Sequence, residues 1–306
     1  MKCIFCLLEK PIEEFTREHI FPESIGGSMY LKNCVCKSCN SFLGSNVDGY
    51  LTDHYLIQMR RLLYRLPGKS GEIPNPLENG TLLNESGQKV KYILNEDGKP
   101  KELYLIPSIE KKTNGGSIKI SITIDSKDKN KLPEMLNKSI KRSGSNKELK
   151  PDDIAKQLKI EEIKNPKIFV NAKVDIVNYQ KAILKIAYEL AYYWLGESYI
   201  DDPLAILIRS AILDQSDSTH WGEKYKIRGR IGLFKEDAVS TFGSYLETSH
   251  IAFLSRSQNN LACYIRIFTV FEGIIAVTES AHLYPNFQDK FIEIESVTGN
   301  KKEISL

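Results

Sequence analysis

Two Cys-x-x-Cys motifs near the start of the chain are the residues best suited to chemistry. Cys3 and Cys6 form the first motif, and Cys36 and Cys39 form the second. Each motif places two thiolates on one tight turn, which is half of a tetrahedral zinc site with zinc–sulfur distances of about 2.3 Å. Together the four cysteines predict one structural Zn²⁺ ion, because four thiolates leave no coordination position for a reacting water.

The other two cysteines leave an alternative open. Cys34 could replace Cys36 as a ligand. The spacing of Cys36 from Cys39 is better, however, so we expect Cys34 to be a buried strand residue. Cys263 lies in a strand-like run and is expected to pack in the core. A redox-active Cys-x-x-Cys motif would need a strand before it, and Cys3 lies too close to the start of the sequence for one.

The segment between the two motifs contains a second group of reactive side chains. In "FTREHIFPESIGG", residues 15–27, the alternating pattern predicts a strand with Glu18 and His19 on opposite faces. The Pro and the Gly-Gly pair then mark the end of the strand and a turn. "MYLKNCVC" predicts a return strand, and "CNSFLGSNVDGYLTDHYLIQMRRLLYRL" predicts a helix with possible breaks at Gly44 and Gly49.

A hairpin and a helix framed by two Cys-x-x-Cys motifs resemble the HNH endonucleases, whose fold is a ββα-metal finger. The resemblance is to the subgroup with one Cys-x-x-Cys motif before the hairpin, "EHIFPESIGG" within it and "VCKSCN" at its end. It extends over about residues 1–66 and includes "GSNVDGYL", which is similar to the start of that subgroup's helix. It implies a metal-dependent endonuclease that hydrolyses DNA phosphodiester bonds.

The resemblance implies roles for four residues of the finger. His19 matches the general base that deprotonates a water for attack on phosphorus, which suits an imidazole with an unperturbed pKa of about 6.5. Glu18 and Asn40 stand where members carry ligands of the catalytic metal, and their oxygen atoms suit Mg²⁺ or Mn²⁺. Asn33 is the candidate for the asparagine that orients the base.

Several of these assignments have structural alternatives. Many members carry Asp where this chain has Glu18, so the longer side chain would bind through water or shift the metal. Asn33 lies only three residues before Cys36, closer than in many members, and an ordinary role at a strand end is an equal alternative. Asn40 could cap the helix that follows it, and His19 with Glu18 could be a surface pair.

Four basic residues are candidate contacts for a nucleic-acid backbone: Arg17, Lys37, Arg60 and Arg61. For Arg60 and Arg61 the alternative is that cations are favourable near the C-terminal end of a helix. His54, on the same predicted helix, is expected to pack against a neighbour or face solvent rather than bind metal.

Residues 71–306 contain no catalytic motif that we recognise. "KVKYILNEDGKPKELYLIP" predicts a hairpin that turns at Asp97–Gly98. "YQKAILKIAYELAYYWL", residues 179–195, predicts a buried helix, and "DPLAILIRSAIL" predicts another that begins near Pro203. The polar stretch 126–150 predicts a solvated insertion or a DNA-contacting flap.

The sequence as a whole predicts an α+β protein of two domains. The first is a zinc-stabilised ββα-metal finger over residues 1–70, and the second is a larger α+β domain over residues 71–306 with a mainly antiparallel sheet. A net charge of +3, from 42 Lys and Arg against 39 Asp and Glu, excludes a polycationic protein but allows a basic surface. We recognise no signal peptide and no apolar run long enough to cross a bilayer, so we expect a cytoplasmic protein.

The interpretation that follows is a Mg²⁺- or Mn²⁺-dependent endonuclease that cleaves DNA. HNH proteins of this architecture resemble restriction or anti-phage effectors, in which the second domain serves targeting, sensing or assembly. The expected partners are DNA and either a second copy of the chain or a partner defence protein. Two other readings stay open, an inactive zinc-stabilised DNA-binding or scaffold protein and a nuclease directed at RNA.

Overall fold

The computed structural model of this protein describes residues 1–83, 87–114, 117–170, 172, 174–216, 221–235 and 246–305. These residues form a mixed α/β protein whose sheets are antiparallel, which confirms the predicted fold class. Within the described ranges no helix is both long and apolar enough to cross a membrane.

The contacts divide the chain into two compact units. Met1–Pro74 and Lys173–Leu306 form one unit, and Asn75–Ala172 forms the other. The predicted boundary near residue 70 lies close to the end of the first segment, but the C-terminal segment packs with the N-terminal finger. The division into residues 1–70 and 71–306 as separate functional domains stays a prediction.

The finger begins with the predicted hairpin. Strand β1 (Phe15–His19) pairs antiparallel with strand β2 (Tyr30–Cys36), and His19 lies opposite Tyr30. A two-stranded hairpin is marginally stable by itself. Its two ends are therefore held by contacts outside the strands.

Both glycines of the hairpin loop are required by close packing. Gly26 has a φ of +85°, and a Cβ atom there would collide with the main chain of Ser296. A Cβ atom on Gly27 would collide with the carbonyl of Phe21. Gly26 thus lets the loop approach the C-terminal segment closely, and Gly27 lets the loop fold back on Phe21.

The predicted helix after the hairpin changes its geometry at Gly44 and Gly49, the two predicted break positions. The α-helix gives way to a π-helical turn from Gly44 and resumes at Gly49, while both glycines keep right-handed helical φ angles of −59° and −55°. A full interruption follows just before His54, whose Nδ1 accepts a hydrogen bond of 3.3 Å from the Leu56 amide. His54 is buried with its ring edge-on to Phe271, so it packs rather than binds metal. The elements are α1 (Lys37–Leu43), a π-helical turn (Gly44–Asp48), α2 (Gly49–Thr52) and α3 (Tyr55–Tyr64).

The unit over residues 75–172 contains two small antiparallel sheets, with strand order β5-β4-β3-β8 in one and β6-β7 in the other. The hairpin predicted to turn at Asp97–Gly98 is confirmed as β4 and β5. The stretch 126–150 contains helix α4, because Leu132, Leu136 and Ile140 recur at helical spacing within the charged sequence, and its prediction as a solvated insertion or a DNA-contacting flap stays a prediction. The elements are β3 (Gly80–Leu82), β4 (Lys89–Leu94), β5 (Pro100–Leu105), β6 (Ser108–Asn114), β7 (Ser117–Thr123), α4 (Leu132–Lys141), α5 (Pro151–Gln157) and β8 (Ile168–Val170).

The C-terminal segment is a six-stranded antiparallel sheet covered by two helices, with strand order β14-β13-β10-β11-β12-β9. Helices α6 and α7 begin and end where the apolar spacing predicts, and both pack on the sheet. The middle of α6 is buried all round, which makes this helix the centre of the core. The elements are α6 (Tyr179–Leu195), α7 (Pro203–Leu213), α8 (Trp221–Tyr225), β9 (Gly229–Leu233), β10 (Ser249–Ser257), β11 (Asn260–Ile267), β12 (Phe271–Thr278), β13 (Lys290–Glu295) and β14 (Lys301–Ser305).

A buried histidine joins this sheet to the hairpin loop. The Nε2 of His250 lies 2.8 Å from the carbonyl of Ile25, and its Nδ1 accepts a 3.3 Å hydrogen bond from the Phe268 amide. Its ring stacks on Phe21 with the centroids 5.5 Å apart. Burial lowers the pKa of His250 to about 4, so the ring is neutral in the folded protein at neutral pH.

We expect the free energy of unfolding to fall as the pH is lowered from about 6.5 to about 4. In this window the unfolded state protonates His250 and the folded state does not, which costs up to about 3 kcal/mol at the lower end. Urea unfolding at pH 7, 5.5 and 4 should show a shallower pH dependence for His250→Gln than for the wild type. An unchanged pH dependence in the variant would contradict the assignment.

Candidate active site and zinc centre

The four cysteines of the two Cys-x-x-Cys motifs come together at the base of the hairpin. Their Sγ atoms all lie within 4.8 Å of one another. The Sγ atoms of Cys6 and Cys36 are 3.8 Å apart, and a tetrahedron with zinc–sulfur bonds of about 2.3 Å has edges of about 3.8 Å. The cluster therefore has the size and ligand type of a structural zinc site, as the sequence predicts.

The protonation chemistry of the cluster also favours a metal. The hydrogen bond between Cys39 and Cys3 lowers the pKa of the Cys3 thiol to about 4 and raises the pKa of Cys39. The Cys36 amide donates a hydrogen bond of 3.4 Å to the Cys3 sulfur, which also stabilises a thiolate there. Thiols packed this closely resist complete deprotonation unless a cation compensates their charge, and Zn²⁺ binding supplies that cation.

The remaining cysteines lie outside the cluster. Cys34 is half-buried on β2, and its thiol donates to the carbonyl of Lys32 at 2.9 Å. The prediction that Cys36 rather than Cys34 belongs to the cysteine cluster is thus confirmed. Cys263 is buried in the sheet, as predicted.

His19 stands at the end of β1 on the exposed side of the hairpin. Its side chain is half-buried, and its ring centroid is 6.1 Å from that of Tyr30 on the paired strand. Burial lowers the pKa of His19, and the carboxylate of Glu23 partly opposes the shift. The imidazole is therefore neutral at neutral pH and able to accept a proton.

Asn40 is bonded to the strand that carries His19. Its Nδ2 donates a short hydrogen bond of 2.7 Å to the carbonyl of Arg17, two residues before the histidine. This bond orients the amide and leaves Oδ1 without a hydrogen-bond partner among the described residues. An oriented, available amide oxygen is what a hard divalent cation requires.

Glu18 faces the opposite side of β1 from His19, as the alternation predicts, and it is buried. Its Oε1 lies 2.5 Å from the ammonium nitrogen of Lys185 on α6. Burial raises the pKa of Glu18, and the charge of Lys185 opposes that shift. One oxygen of the predicted metal ligand is thus committed to an ion pair within the protein.

Two further residues contact this site and were not predicted from the sequence, Lys185 and Asp48. The Oδ2 of Asp48, in the π-helical turn, is 3.0 Å from the Lys185 nitrogen. π-Helical turns are frequent at functional sites. A signal was present in the sequence, since Lys185 and Glu189 stand four residues apart within an otherwise apolar helix.

Asn33 has a backbone role in this structure. The register of β1 and β2 shifts between Thr16 and Glu18, and Asn33 lies in the resulting bulge of β2 with a φ of +58°. Asn tolerates this left-handed conformation better than most residues. Its side chain is exposed and has no hydrogen bond to the described residues, so its predicted role in orienting the base stays a prediction without a contact to support it.

The four predicted nucleic-acid contacts differ in exposure. Arg17 is exposed and its guanidinium lies 4.4 Å from the Tyr30 ring centroid, and Lys37 is exposed at the start of α1. Arg61 is instead buried and donates to the carbonyl of Thr52, so its predicted phosphate contact is incompatible with this structure.

Arg60 is held by hydrogen bonds within the protein. It donates to the hydroxyl of Tyr64 at 3.0 Å and to that of Thr269 at 2.9 Å. These bonds join α3 to the C-terminal segment. The geometry therefore favours the structural alternative for both arginines at the end of α3.

Comparison with known proteins agrees with the geometry of the finger. Residues 3–56 match the model of a family described as HNH endonuclease. The match covers the four zinc-site cysteines, Glu18, His19, Asn40 and Asp48, and ends long before Lys185. No match was found among curated proteins or among solved structures. The chain therefore carries an N-terminal HNH endonuclease domain, which confirms the resemblance.

We expect one zinc ion per chain and its loss from Cys36→Ser, since three remaining thiolates cannot complete the tetrahedral site. Metal analysis of the purified proteins and their melting temperatures measure this. Cys34→Ser is the matched control, because Cys34 lies two residues away and outside the cluster. Zinc at the wild-type level in Cys36→Ser, or its loss from Cys34→Ser, would contradict the ligand assignment.

Proposed function

We propose that this protein is a metal-dependent endonuclease that hydrolyses DNA phosphodiester bonds. The observation that carries the proposal is the position of His19. A neutral, half-exposed imidazole ends the first strand of a zinc-framed HNH finger, and Asn40 is bonded to the same strand.

In this proposal His19 is the general base. Its imidazole accepts a proton from the water that attacks phosphorus, and its lowered pKa keeps the accepting nitrogen free at neutral pH. The pairing of β1 with β2 fixes the ring beside Tyr30, so the base is positioned before substrate binds.

Asn40 and Glu18 are the proposed ligands of the catalytic Mg²⁺ or Mn²⁺. The donor set fits a hard cation, since it consists of the free Oδ1 of Asn40 and the second carboxylate oxygen of Glu18. When bound, such an ion offsets the negative charge that develops on the scissile phosphate and on the leaving oxygen. Glu18 keeps its other oxygen on Lys185, which orients the carboxylate.

The exposed face of the hairpin is the proposed contact surface for the nucleic-acid backbone. It includes Arg17 and Lys32, whose cations lie 4.4 Å and 5.5 Å from the Tyr30 ring centroid. Lys37 is exposed at the start of the next helix. Arg17 and Lys32 lie beside Tyr30, the residue that pairs with His19, so a phosphate bound for attack would lie near these two cations.

We further propose that the protein acts in restriction or anti-phage defence and that the residues beyond the finger direct it. The unit over residues 75–172 carries 19 of the 42 Lys and Arg but only 14 of the 39 Asp and Glu. This positive excess suits targeting to nucleic acid. A cluster of four thiols that binds metal suits a reducing compartment, so we place the activity in the cytoplasm.

Supercoiled plasmid should be nicked or linearised by the wild type with Mg²⁺ or Mn²⁺, and His19→Ala should lose this activity by at least about 100-fold, as expected for a general base. Gel electrophoresis measures the rate, and EDTA is the metal control. Equal melting temperatures and zinc contents would show that the variant keeps its fold.

Cleavage that survives His19→Ala would sink the assignment of the base. Cleavage of RNA but not plasmid would favour the RNA-directed nuclease. Binding without cleavage of either would favour the inactive binding protein. Plaque counts in cells expressing the wild type or His19→Ala test the defence role.

Arg17→Ala should weaken DNA binding and reduce the slope of log affinity against log salt by about one, the effect of losing one phosphate contact. Fluorescence anisotropy with a labelled duplex measures both, in a His19→Ala background so that no DNA is cut. Lys301→Ala, exposed on strand β14, is the control and should leave the slope unchanged. Equal slopes for Arg17→Ala and Lys301→Ala would argue against this contact surface.

A further inference from the structure

The family match ends at residue 56, but a buried lysine far beyond it reaches the proposed catalytic strand. Lys185 lies near the middle of α6, and its side chain is fully buried. A buried ammonium is unfavourable unless it is paired and hydrogen-bonded. The groups that contact the ammonium therefore indicate which parts of the protein Lys185 holds in position.

The three nearest oxygens to the Lys185 nitrogen all belong to the finger. They are Oε1 of Glu18 at 2.5 Å, the main-chain oxygen of His19 at 2.8 Å and Oδ2 of Asp48 at 3.0 Å. An ammonium has three N–H donors, so these three oxygens account for its full donor capacity. Two of them belong to consecutive residues of the proposed active site.

A fourth group keeps the lysine charged. Glu189, one turn further along α6, is fully buried and has an oxygen 3.5 Å from the Lys185 nitrogen. Burial by itself would lower the pKa of Lys185, but the carboxylates of Asp48, Glu189 and Glu18 outweigh it and raise the pKa. The surrounding carboxylates thus favour the charged form of the lysine.

Two other contacts from the C-terminal segment hold the ends of the finger. Tyr188 on α6 donates a hydrogen bond of 2.7 Å to the carbonyl of Ile4, which holds the turn between Cys3 and Cys6. His250 holds the hairpin loop through Ile25. Lys185 is the contact from α6 that reaches the end of β1, between these two anchors.

We propose that Lys185 is a positioning residue for the nuclease centre. By donating to the His19 carbonyl it fixes the main chain from which the imidazole projects, and by pairing with one oxygen of Glu18 it fixes the direction of the other. The inference rests on the proposed function, since it assigns Lys185 to the same site. It also makes the finger dependent on a helix more than a hundred residues beyond the family match.

The test uses the full chain with two variants and one control. Lys185→Met removes the cation, and Lys185→Met/Glu189→Met removes it together with the carboxylate packed against it. Buried ion pairs replaced by apolar side chains of similar volume often keep the fold, so the double variant is used if the single one does not fold. Lys181→Met is the control, because Lys181 lies one turn earlier on α6 and donates to the carbonyl of Asp214 instead.

Three readouts separate positioning from general stability. Hydrogen–deuterium exchange should accelerate in the peptide over residues 15–21 and stay unchanged in the six-stranded sheet. The affinity for Mn²⁺, measured by electron paramagnetic resonance, should fall by about 10- to 100-fold, the usual effect of removing a partner of a metal ligand. kcat should fall by a similar factor with KM unchanged, since the buried lysine cannot touch DNA.

The outcomes distinguish a failure of the positioning role of Lys185 from a failure of the proposed function. A folded variant with wild-type exchange in residues 15–21 and wild-type Mn²⁺ affinity would overturn the positioning role, as would equal effects in Lys181→Met. If the wild type neither cleaves DNA nor binds Mn²⁺, the proposed function fails. The exchange experiment then decides alone whether Lys185 holds the strand.

Discussion

The ammonium group of Lys185 is surrounded by oxygens from three separate parts of the chain. It connects helix α6 with the end of strand β1 and with the π-helical turn after α1. Separating α6 from the finger would leave buried charges without their partners, which is far more unfavourable than losing an exposed ion pair. The strand that carries His19 is therefore held in one place by electrostatics as well as by packing.

The finger is too small to hold its own shape, and contacts at both of its ends stabilise it. The cysteine cluster closes the base of the hairpin, where the N-terminal turn meets the end of β2 and the start of α1 in an arrangement that suits a structural zinc ion. At the other end, Gly26 allows close contact with Ser296, and Phe21 stacks on His250. Between these two anchors β1 buries the side chain of Glu18 and leaves that of His19 half-buried.

This arrangement changes how the chain divides into functional parts. The residues that match the HNH endonuclease family pack with the C-terminal helix and sheet in one compact unit. The unit over residues 75–172 is separate in its contacts and carries the excess of positive charge. The basic unit is thus inserted, in the sequence, between the two segments of the unit that contains the HNH endonuclease domain.

Local patterns in the sequence predicted the elements and the zinc ligands, because cysteine spacing, apolar periodicity and turn residues act over a few positions. Helix α6 and the choice of Cys36 over Cys34 are of this kind. The predicted breaks at Gly44 and Gly49 coincide with the limits of the π-helical turn, but the chain stays helical through both residues, since a glycine weakens a helix without ending it where packing supports the turn.

Only the tertiary structure decided which segments of the chain cover each side of strand β1. The sequence placed Glu18 and His19 on opposite sides of β1, but the partner of Glu18 lies 167 residues later in the chain. Arg61 likewise has the sequence context of a surface cation and is buried. Burial and ion pairing depend on which distant segments meet, and no local pattern contains that information.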